Sequence, residues 1–470
     1  MLNDSTICAI ATPPGTGAIS IIRISGKDTY RICSRIIKFR SKKKKLVSLR
    51  PYTVHFASVV HEGRMIDEVL VSLFKAPHSY TGEDVIEISC HGAQYIQQEI
   101  IRILIDVGAR PAKPGEFTLR AYLNGKLDLS QAEAVADLIS STSAAAHRVA
   151  LNQMRGGFSG EIAKLRTQLL DFISLIELEL DFSEEDVEFA DRKKLMQLVK
   201  NIQELIKNLV ESFNLGNVLR NGVPVAITGK TNVGKSTLLN TLLHEEKAIV
   251  SEIAGTTRDI IEDVINIEGF SLRLIDTAGL RKASGKIESL GIEKTFQKID
   301  QAYIVLYMID AMYGPAEIDR LASKIKKRIK GKDKKLIIIL NKTDKLSDSQ
   351  LSKLKDLSQF KNIDTSDELI FLSAQTHENI DLLIKTMLDI VRSRIPGEHD
   401  VIVTNARHYE ALRNAESAVD RVVKGLRSNL SSDLLAQDIR EVLHRLGEVT
   451  GEVTTDEILG NIFSKFCIGK

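Results

Sequence analysis

The sequence predicts a multidomain protein with an α+β N-terminal domain, a discontinuous all-α helical domain and an inserted α/β domain. Its 470 residues exceed what one hydrophobic core ordinarily holds, so about three domains are expected. Residues from Pro224 to about Val391 alternate strand-like and helix-like segments, which is typical of an α/β domain. Long helical patterns lie on both sides of this region, so the α/β domain is predicted to be an insertion.

The first 120 or so residues alternate short β-type runs with turn residues. Strands are predicted at Ala18–Ile24, Tyr52–Val60, Val69–Phe74 and Val85–Ser89. Gln94–Val107 carries apolar residues at helical spacing. Together these segments predict a compact α+β domain.

The two helical stretches are Leu129–Leu215 and the region after Pro396, where Ala406–Ser428 and Leu434–Leu446 are periodic and free of proline. Each stretch alone would expose an apolar stripe, so we expect the two to pack together as one bundle. The predicted limits are 1–122 for the N-terminal domain, 123–221 and 392–470 for the two parts of the helical domain, and 222–391 for the insertion.

Composition excludes several classes of protein. The formal net charge of +2 does not mark a nucleic-acid binder, although a local basic face remains compatible with it. No apolar run approaches the roughly 18 residues that a membrane span needs, and the N-terminus lacks the pattern of a signal peptide. The four cysteines have no metal-ligand spacing, which favours a reducing compartment and a cytoplasmic location.

A phosphate-binding loop is predicted at the start of the insertion. Val223–Thr228 reads as a buried strand, Gly229–Ser236 spells GKTNVGKS, and a helix-forming segment follows. Glycines let the backbone wrap phosphates with its N–H groups. Lys235 is expected to reach the terminal phosphates, and the Ser236 hydroxyl to bind magnesium.

The base is indicated further along the chain. The strand Leu336–Leu340 ends in the pattern NKTD, in which the Asp344 carboxylate can accept hydrogen bonds from the ring N–H and amino group of guanine. Ser373-Ala374 follows another strand and is expected to offer a backbone N–H to the guanine carbonyl oxygen. Asp276-Thr277-Ala278-Gly279 suits magnesium and the γ-phosphate. The order of these motifs predicts a Ras-like P-loop G domain that binds GTP.

For the catalysis of GTP hydrolysis, the residues offer several alternative candidates. Ras-type enzymes position the attacking water with a glutamine directly after this Asp-x-x-Gly, and here the position holds Leu280. Arg258 and Arg281 are candidates for the cation that stabilises the developing charge, and each reads equally well as a surface residue. Asn232 in the phosphate loop offers another route, the binding of a monovalent cation, and Thr257 fits a magnesium ligand.

Several long motifs resemble those of one family. They are ATPPGTGAISIIRISG, YTGEDVIEISCHG, ARPAKPGEFTLRAYLNGKLDLSQAEAVADLI, AGTTRD, DTAGLR and the C-terminal FCIGK. The chain resembles, from end to end, the MnmE (TrmE) family, GTPases of bacterial tRNA wobble-uridine modification. The resemblance implies an N-terminal domain for dimerisation and folate binding, a split helical domain and an inserted G domain, in agreement with the division above.

The resemblance also implies site residues. Potassium would replace an arginine finger where two G domains meet, and its ligands would be Asn232, Ser251, Ile253 and Thr256. Magnesium would be bound by Ser236 and Thr257. Glu288 would position the water through a bridging water, although its pattern alone favours an exposed charge. Ser251 stands where relatives carry threonine, an exchange that a backbone ligand tolerates. The residues implied to contact GTP are Asn232, Val233, Gly234, Lys235, Ser236, Thr237, Ser251, Glu252, Ile253, Ala254, Gly255, Thr256, Thr257, Asp276, Thr277, Ala278, Gly279, Asn341, Lys342, Thr343, Asp344, Ser373 and Ala374.

A folate site is implied at Arg23, Glu87, Lys126 and Lys470, with 5,10-methylene- or 5-formyl-tetrahydrofolate as the ligand. Arg and Lys side chains can pair with the glutamate tail of a folate, and Glu87 can accept hydrogen bonds from its pterin ring. Cys467 lies in the same tail, where it serves either chemistry or packing. A prenylation box is the other reading of CIGK, and its glycine and terminal lysine fit that box poorly.

The resemblance implies a homodimer that joins a flavin-dependent MnmG (GidA)-like partner in a heterotetramer or larger complex and acts on tRNA. The alternative is a regulatory GTPase switch in ribosome assembly. The lysine runs Lys42–Lys45 and Lys324–Lys335 suit tRNA phosphates and suit solvated surfaces more often. His91 has no partner nearby in the sequence and is interpreted as a hydrogen-bonded structural histidine.

Overall fold

The computed structural model describes residues 5–41, 43–181, 191–244, 249–251, 263–275, 299–331, 334–364, 367–393, 402–428 and 430–470. The chain forms two compact units. One comprises Met1–Ile139, Asn152–Gln203 and Ala411–Lys470, and the other comprises Ser140–Leu151 and Glu204–Glu410. The limits of these units fall within helices and not at residues 122, 221 and 391, so the predicted domain limits remain a proposal.

The N-terminal domain is built on a seven-stranded sheet. Its strands are β1 (Ile7–Ile10), β2 (Ile19–Ser25), β3 (Ile37–Lys38), β4 (Val54–His61), β5 (Arg64–Phe74), β6 (Val85–His91) and β7 (Arg110–Pro111). Their order across the sheet is β3-β4-β5-β6-β2-β1-β7, with β7 parallel to β1 and the other pairs antiparallel. Strand β5 begins five residues before the predicted start, because a two-residue turn at Glu62-Gly63, both with positive φ, closes a long hairpin with β4.

Helices cover one face of this sheet. They are α1 (Thr29–Ile36) and α2 (Gln94–Asp106), and α3 (Glu116–Leu123) follows β7. Ile22 and Ile88 on the strands are fully buried together with Ile32 of α1 and Ile100 of α2. The alternation of buried and exposed residues along β5 fits a sheet with one covered face. The α+β prediction is confirmed.

The helical segments are long, as predicted. They are α4 (Leu129–Ser140), α5 (Ala144–Met154), α6 (Gly157–Asp181) and α7 (Arg192–Asn221) before the insertion. After the insertion lie α12 (Ala406–Arg427), α13 (Ser432–Thr450) and α14 (Asp456–Phe463). Helix α6 packs against α13, where Arg166 Nε donates to Leu443 O at 3.3 Å and Arg440 pairs with Glu177 at 2.6 Å. The two separate stretches therefore contribute to one bundle.

The insertion contains a second seven-stranded sheet. Its strands are β8 (Val223–Gly229), β9 (Ile249–Ser251), β10 (Asp263–Ile267), β11 (Phe270–Leu274), β12 (Ile304–Asp310), β13 (Lys335–Asn341) and β14 (Glu368–Leu372). The order is β14-β13-β12-β8-β11-β10-β9, and the five strands from β14 to β11 are parallel. The α-helices among its described residues are α8 (Lys235–Leu243), α9 (Pro315–Ile329), α10 (Asp348–Lys355) and α11 (Ile380–Arg392).

Burial of this sheet explains its apolar strands. Ile337, Ile338, Ile339 and Leu340 of β13 are all fully buried, which is expected of a parallel strand covered on both faces. The carboxyl ends of parallel strands meet at one edge of the sheet, and ligands bind there in open α/β folds. In the described part of the chain, no helix combines the length and apolar character that crossing a membrane requires.

Candidate nucleotide site and N-terminal pocket

The loop between β8 and α8 follows a path that only glycine permits at two positions. Gly229 has φ +146°, and a Cβ there would lie 2.3 Å from Met308 O. Gly234 has φ +99°, and a Cβ there would lie 2.2 Å from Asn341 Nδ2. Asn232 between them has φ +60°, a left-handed conformation that asparagine tolerates. The sequence pattern therefore reflects real steric limits of the loop.

Lys235 opens helix α8, and its side chain folds back over this loop. Its Nζ donates to Gly229 O at 2.9 Å and to Lys230 O at 2.5 Å. Phosphate oxygens are stronger acceptors for an ammonium than neutral carbonyls, so the side chain can exchange these bonds for phosphate contacts. Ser236 and Thr237 follow in the first turn of α8 and are exposed, whereas Val233 is buried.

Asn341, at the end of β13, joins the phosphate loop to the Ser373-Ala374 segment. Its side chain is 3% exposed, its Nδ2 donates to Val233 O at 2.8 Å, and its Oδ1 accepts from Ala374 N at 3.0 Å. The amide thus acts as a structural bridge between two loops. Because the Ala374 N–H already donates to Asn341, a contact of this N–H with the guanine carbonyl would have to share the donor.

Asp344 is oriented by a buried hydroxyl. Ser373 is fully buried, and its Oγ donates to Asp344 Oδ1 at 2.7 Å and accepts from Thr376 N at 3.2 Å. Asp344 is exposed. A carboxylate has capacity for several hydrogen bonds, so the fixed Asp344 can still accept from the guanine edge.

Sequence reasoning missed Asp310, which holds the lysine of the NKTD motif. Lys342 has φ +72°, and its Nζ donates to Asn232 O at 2.7 Å and to Asp310 Oδ2 at 2.6 Å. Asp310 ends β12, and its backbone is paired in register with Asn341 on β13. Its place at the carboxyl end of a parallel strand was the signal that could have indicated it.

A large part of the predicted catalytic apparatus lies outside the described residues. Strand β9 ends at Ser251 and pairs with Val264, but the Ser251 side chain is not described. The predicted potassium and magnesium sets are therefore represented in the structure by Asn232 and Ser236, together with the backbone of Ser251. The undescribed candidates are Glu252, Ile253, Ala254, Gly255, Thr256, Thr257, Arg258, Asp276, Thr277, Ala278, Gly279, Leu280, Arg281 and Glu288.

The N-terminal domain brings three of the four candidate folate residues into one place. Arg23 and Glu87 face each other across β2 and β6, and Arg23 Nε donates to Glu87 Oε1 at 2.8 Å. Arg23 Nη1 donates to Gly469 O at 3.3 Å, beside Lys470. The sequence expectation gave Arg23 and Glu87 separate parts of a folate, whereas in the structure they pair with each other.

Two aromatic rings and the C-terminal tail complete this cluster of side chains, the candidate folate site that we call the N-terminal pocket. The Arg23 guanidinium carbon lies 5.4 Å from the Tyr80 ring centroid and 5.7 Å from that of Phe117, within the range of cation–π attraction. The tail approaches β1 closely, since a Cβ on Gly469 would lie 2.2 Å from Ile10 O. Cys467 in this tail is exposed, and its backbone carbonyl oxygen accepts a hydrogen bond from Gly115 N at 3.4 Å.

Lys126, the fourth candidate, lies at the edge of the same region. Lys126 packs next to Gly82, which is two residues after Tyr80 in the chain. A Cβ added to Gly82 would lie 3.5 Å from Lys126 Cε. The neighbouring Asn124 donates from Nδ2 to Thr81 O at 2.7 Å, which ties the end of α3 to this loop. Lys126 is exposed and therefore accessible to an anionic ligand.

A network of ion pairs around the buried Glu116 and Arg120 lies next to the pocket. Glu116 accepts from Arg110 at 2.5 Å and from Arg120 at 3.1 Å, and Arg120 also pairs with Glu83 at 3.0 Å. Burial is the largest influence on the pKa of Glu116 and acts to raise it, but hydrogen bonds from Arg110 and the Lys113 N–H outweigh burial and hold that pKa below its ordinary value. Glu116 directly precedes Phe117, so the network fixes the backbone that carries this ring.

His91 is hydrogen-bonded, as the sequence interpretation expected. Its partner is Asp67, whose Oδ1 is 2.7 Å from His91 Nδ1 and whose Oδ2 accepts from His91 N at 2.8 Å. The partner lies on the adjacent strand β5, which is why it was not visible in the local sequence.

Among the residues that the structure describes, no group of three or more His, Cys, Asp or Glu side chains is arranged to hold a metal ion.

Comparisons with known proteins cover the whole chain. The sequence matches the family model described as MnmE helical domain over residues 129–467 and that described as GTP-binding protein TrmE N-terminus over residues 6–126. It is similar to the tRNA modification GTPase MnmE of Bacteroides fragilis, with 55% identity over 470 residues that cover 100% of both chains. The tRNA modification GTPase MnmE of Christiangramia forsetii is 54% identical over 474 residues, again with 100% of both chains covered.

A comparison with solved structures matches part of the chain. The crystal structure of a variant of Aquifex aeolicus Era bound to GDP.AlF4- is 30% identical, and the match covers 41% of the present chain and 65% of the Era chain, with a TM-score of 0.25.

Proposed function

The chain belongs to the MnmE family of tRNA modification GTPases, and we propose that it is a potassium-stimulated GTPase of wobble-uridine modification. With a flavin-dependent partner, it would form the 5-carboxymethylaminomethyl or aminomethyl group on the wobble uridine of certain tRNAs, with a reduced folate as one-carbon donor. The observation that carries this proposal is identity of 55% along the entire length, which includes the G domain and the segments around the N-terminal pocket.

The described nucleotide site supports GTP as the substrate. Asp344, oriented by Ser373, offers carboxylate oxygens to a base that donates two adjacent hydrogen bonds, and guanine does so. Adenine presents an acceptor nitrogen in place of the ring N–H, which would face the carboxylate without a hydrogen bond. Asn341 and Lys342 hold the phosphate loop against this base-binding edge. The site therefore fits a guanine nucleotide with its phosphates along the loop.

Cation binding is proposed at the same loop. Asn232 is exposed in a left-handed turn, and no hydrogen bond of its side chain occurs within the described residues, so its carbonyl oxygen is available as a ligand. Potassium at Asn232, Ser251, Ile253 and Thr256 would supply positive charge between the β- and γ-phosphates. Magnesium would be bound by Ser236 and Thr257.

Exchange of potassium for sodium should lower the GTPase rate by about tenfold or more, because sodium is too small for a site of this kind. In the Asn232→Ala variant the rates in the two salts should become equal, since an amide ligand has been removed. The measurement is steady-state phosphate release at equal ionic strength. Equal rates of the wild-type protein in potassium and sodium would contradict the assignment of the cation ligands.

Glu288 is proposed to position the attacking water, a role that Leu280 cannot fill because it has no polar group. The Glu288→Ala variant should lose GTP turnover by about 100-fold while its affinity for GTP stays near that of the wild type. Single-turnover hydrolysis and calorimetry separate the two effects. A variant with unchanged turnover would exclude Glu288 from the mechanism.

A homodimer is proposed, and an exposed apolar face of the N-terminal sheet supports it. Val54, Phe56 and Leu70 are 60%, 53% and 47% exposed, and Phe56 lies directly across from Leu70 on β4 and β5. Ile19 on the same sheet is 67% exposed. Apolar groups clustered in this way usually mark a contact with another protein. Dimerisation would let two G domains meet and separate during GTP turnover.

Binding of a reduced folate is proposed at the N-terminal pocket, with Arg23, Glu87, Lys126 and Lys470 as its polar residues. The Arg23→Ala variant should bind 5-formyl-tetrahydrofolate about 10- to 100-fold more weakly, because a charge-assisted contact is lost and Glu87 is left unpaired. Arg102→Ala is the matched control, since Arg102 is 55% exposed and pairs with Glu99 and Asp106 of its own helix α2. Equal folate affinity in the wild type and Arg23→Ala would place the ligand elsewhere.

The proposed function as a whole is tested by analysing tRNA nucleosides from cells that lack this chain. We expect the wobble modification to disappear and to return when the wild-type chain is restored. Mass spectrometry of digested tRNA gives the result. Unchanged wobble uridines together with altered ribosome profiles would favour a regulatory GTPase of ribosome assembly instead.

A further inference from the structure

A row of lysines lies at the end of the G-domain sheet that is remote from the nucleotide. Helix α9 ends at Ile329 and strand β13 begins at Lys335, so residues around them lie at the amino ends of the parallel strands. A strand of seven residues is roughly 23 Å long, and the phosphate loop is at the opposite, carboxyl ends. We name Lys324, Lys327, Lys330 and Lys335 the lysine ridge. A ligand on this ridge would be separate from the bound nucleotide.

Two hollows flank the lysine ridge. One has a volume of about 760 Å³, and Lys327, Lys330 and Lys335 contribute to its lining. The other has a volume of about 450 Å³ and is lined in part by Lys324 and Lys327, with Arg320 beside them. Lys327 lines both hollows, so the ridge and its flanks form a continuous surface.

Within the described residues, the lysines of the ridge differ from their neighbours in having no partner. Lys326 pairs with Asp367 at 2.5 Å, and Lys334 donates to the carbonyl oxygens of Asp300 and Ala302, each at 2.7 Å. By contrast, the four lysines of the ridge are exposed, and their ammonium groups have no hydrogen bond or ion pair within the part of the chain that the structure describes. Their charges are therefore available to an external ligand.

The surface also has a local excess of positive charge. Seven cationic side chains line the two hollows against four carboxylates, an excess of three where the whole chain has a net charge of +2. The cations are Arg320, Lys324, Lys326, Lys327, Lys330, Lys334 and Lys335, and the carboxylates are Asp319, Asp367, Glu368 and Asp389.

Stabilisation of a helix terminus explains only part of this cluster. Cations in the last turn of a helix interact favourably with its dipole, which accounts for Lys326, Lys327 and Arg328 in α9. The effect falls off within one turn, so it does not account for Lys324 or for Lys335, which lies on a strand. The helix dipole therefore leaves Lys324 and Lys335 without an explanation.

We propose that the lysine ridge binds the phosphodiester backbone of RNA, an inference that rests on the proposed function because that function supplies tRNA as the partner. On a helix, positions three or four apart are about 5–6 Å apart, so Lys324 and Lys327 form a row of point charges suited to successive phosphates. No aromatic side chain is among the residues that line the two hollows, so stacking of bases is not provided there. The contact is therefore with the backbone and independent of RNA sequence.

The test compares two double variants that remove equal charge from the same domain. K327Q/K330Q neutralises two of the four lysines of the ridge, and K353Q/K355Q neutralises two exposed lysines of α10 as the control. Glutamine has a helix propensity close to that of lysine, so both variants should fold. The affinity for unmodified tRNA is measured at four salt concentrations, with GTP turnover and thermal unfolding measured in parallel.

For K327Q/K330Q we expect the slope of log affinity against log salt to fall by about 2 and the affinity near 100 mM salt to fall about tenfold. The control should keep the wild-type slope, and both variants should keep the wild-type GTP turnover. Equal slopes in the two variants would overturn the inference and leave the proposed function intact. If the wild type has no affinity for tRNA, the inference falls too, but the nucleoside analysis still decides the function separately.

Discussion

Replacing Asp344 by asparagine should lower the affinity for GTP by about 1,000-fold and create affinity for xanthosine triphosphate. The Ser373 hydroxyl donates to Asp344 Oδ1 at 2.7 Å, so the amide oxygen of the new side chain would take that position. Its NH2 group would then face the base, where it opposes the N–H groups of guanine and matches the carbonyl oxygen of xanthine.

Calorimetric titration with both nucleotides measures this exchange. Asp348→Asn is the matched control because Asp348 is an exposed acid at the start of α10, four residues along the chain. The control should bind GTP as the wild type does. Retention of tight GTP binding by Asp344→Asn would show that this carboxylate does not recognise the base.

Replacing Gly234 by alanine should abolish measurable GTP binding, a loss of at least about 100-fold. The backbone at Gly234 has φ +99°, which costs an L-residue about 1–3 kcal/mol, and the new Cβ would lie 2.2 Å from Asn341 Nδ2. Relief of this contact would move Asn341 away from Val233 O and Ala374 N, so the phosphate loop and the base-binding edge would separate.

The control for this variant is Gly314→Ala in the same domain. Gly314 has φ −68°, and a Cβ there would meet no atom within 4 Å. Circular dichroism should show both variants folded, and calorimetry should show GTP binding in the control alone. Wild-type affinity in Gly234→Ala would mean that the loop tolerates a side chain at this position, against the geometry described above.

The parts of the fold that local patterns determine were predictable. The phosphate loop was identified because its glycines, lysine and serine lie between a buried strand and a helix, and the structure places Gly229 and Gly234 in conformations that exclude other residues. The bundle was predicted because each helical stretch had an apolar stripe without a partner. These inferences need only periodicity and steric limits within short segments.

Contacts that depend on register between distant segments were not predictable from the residues. Asp310 reaches Lys342 because β12 and β13 pair with Asp310 opposite Asn341, and Asp67 reaches His91 across β5 and β6. Register of this kind is set by the whole sheet, so no single segment contains it. The pairing of Arg23 with Glu87 across β2 and β6 is a third example.

The predicted potassium, magnesium and water-positioning residues are mostly absent from the part of the chain that the structure describes. Thr256, Thr257 and Glu288 are among those that lie outside the described residues. The roles of Thr256 and Glu288 come from the resemblance of the chain to its family, whereas Thr257 was already indicated by the local sequence. Local sequence alone favoured a surface charge at Glu288, since nothing in its pattern links it to the γ-phosphate. The potassium ligands are tested by the salt exchange, and the role of Glu288 is tested by the Glu288→Ala variant.

The central claim is that the phosphate loop and Asp344 bind one guanine nucleotide, and titration of the wild-type protein with GTP and ATP tests it most directly. The account predicts affinity for GTP at least about 100-fold higher than for ATP, because adenine leaves the Asp344 carboxylate without its hydrogen bonds. Equal affinity for the two nucleotides, or no binding of either, would contradict it.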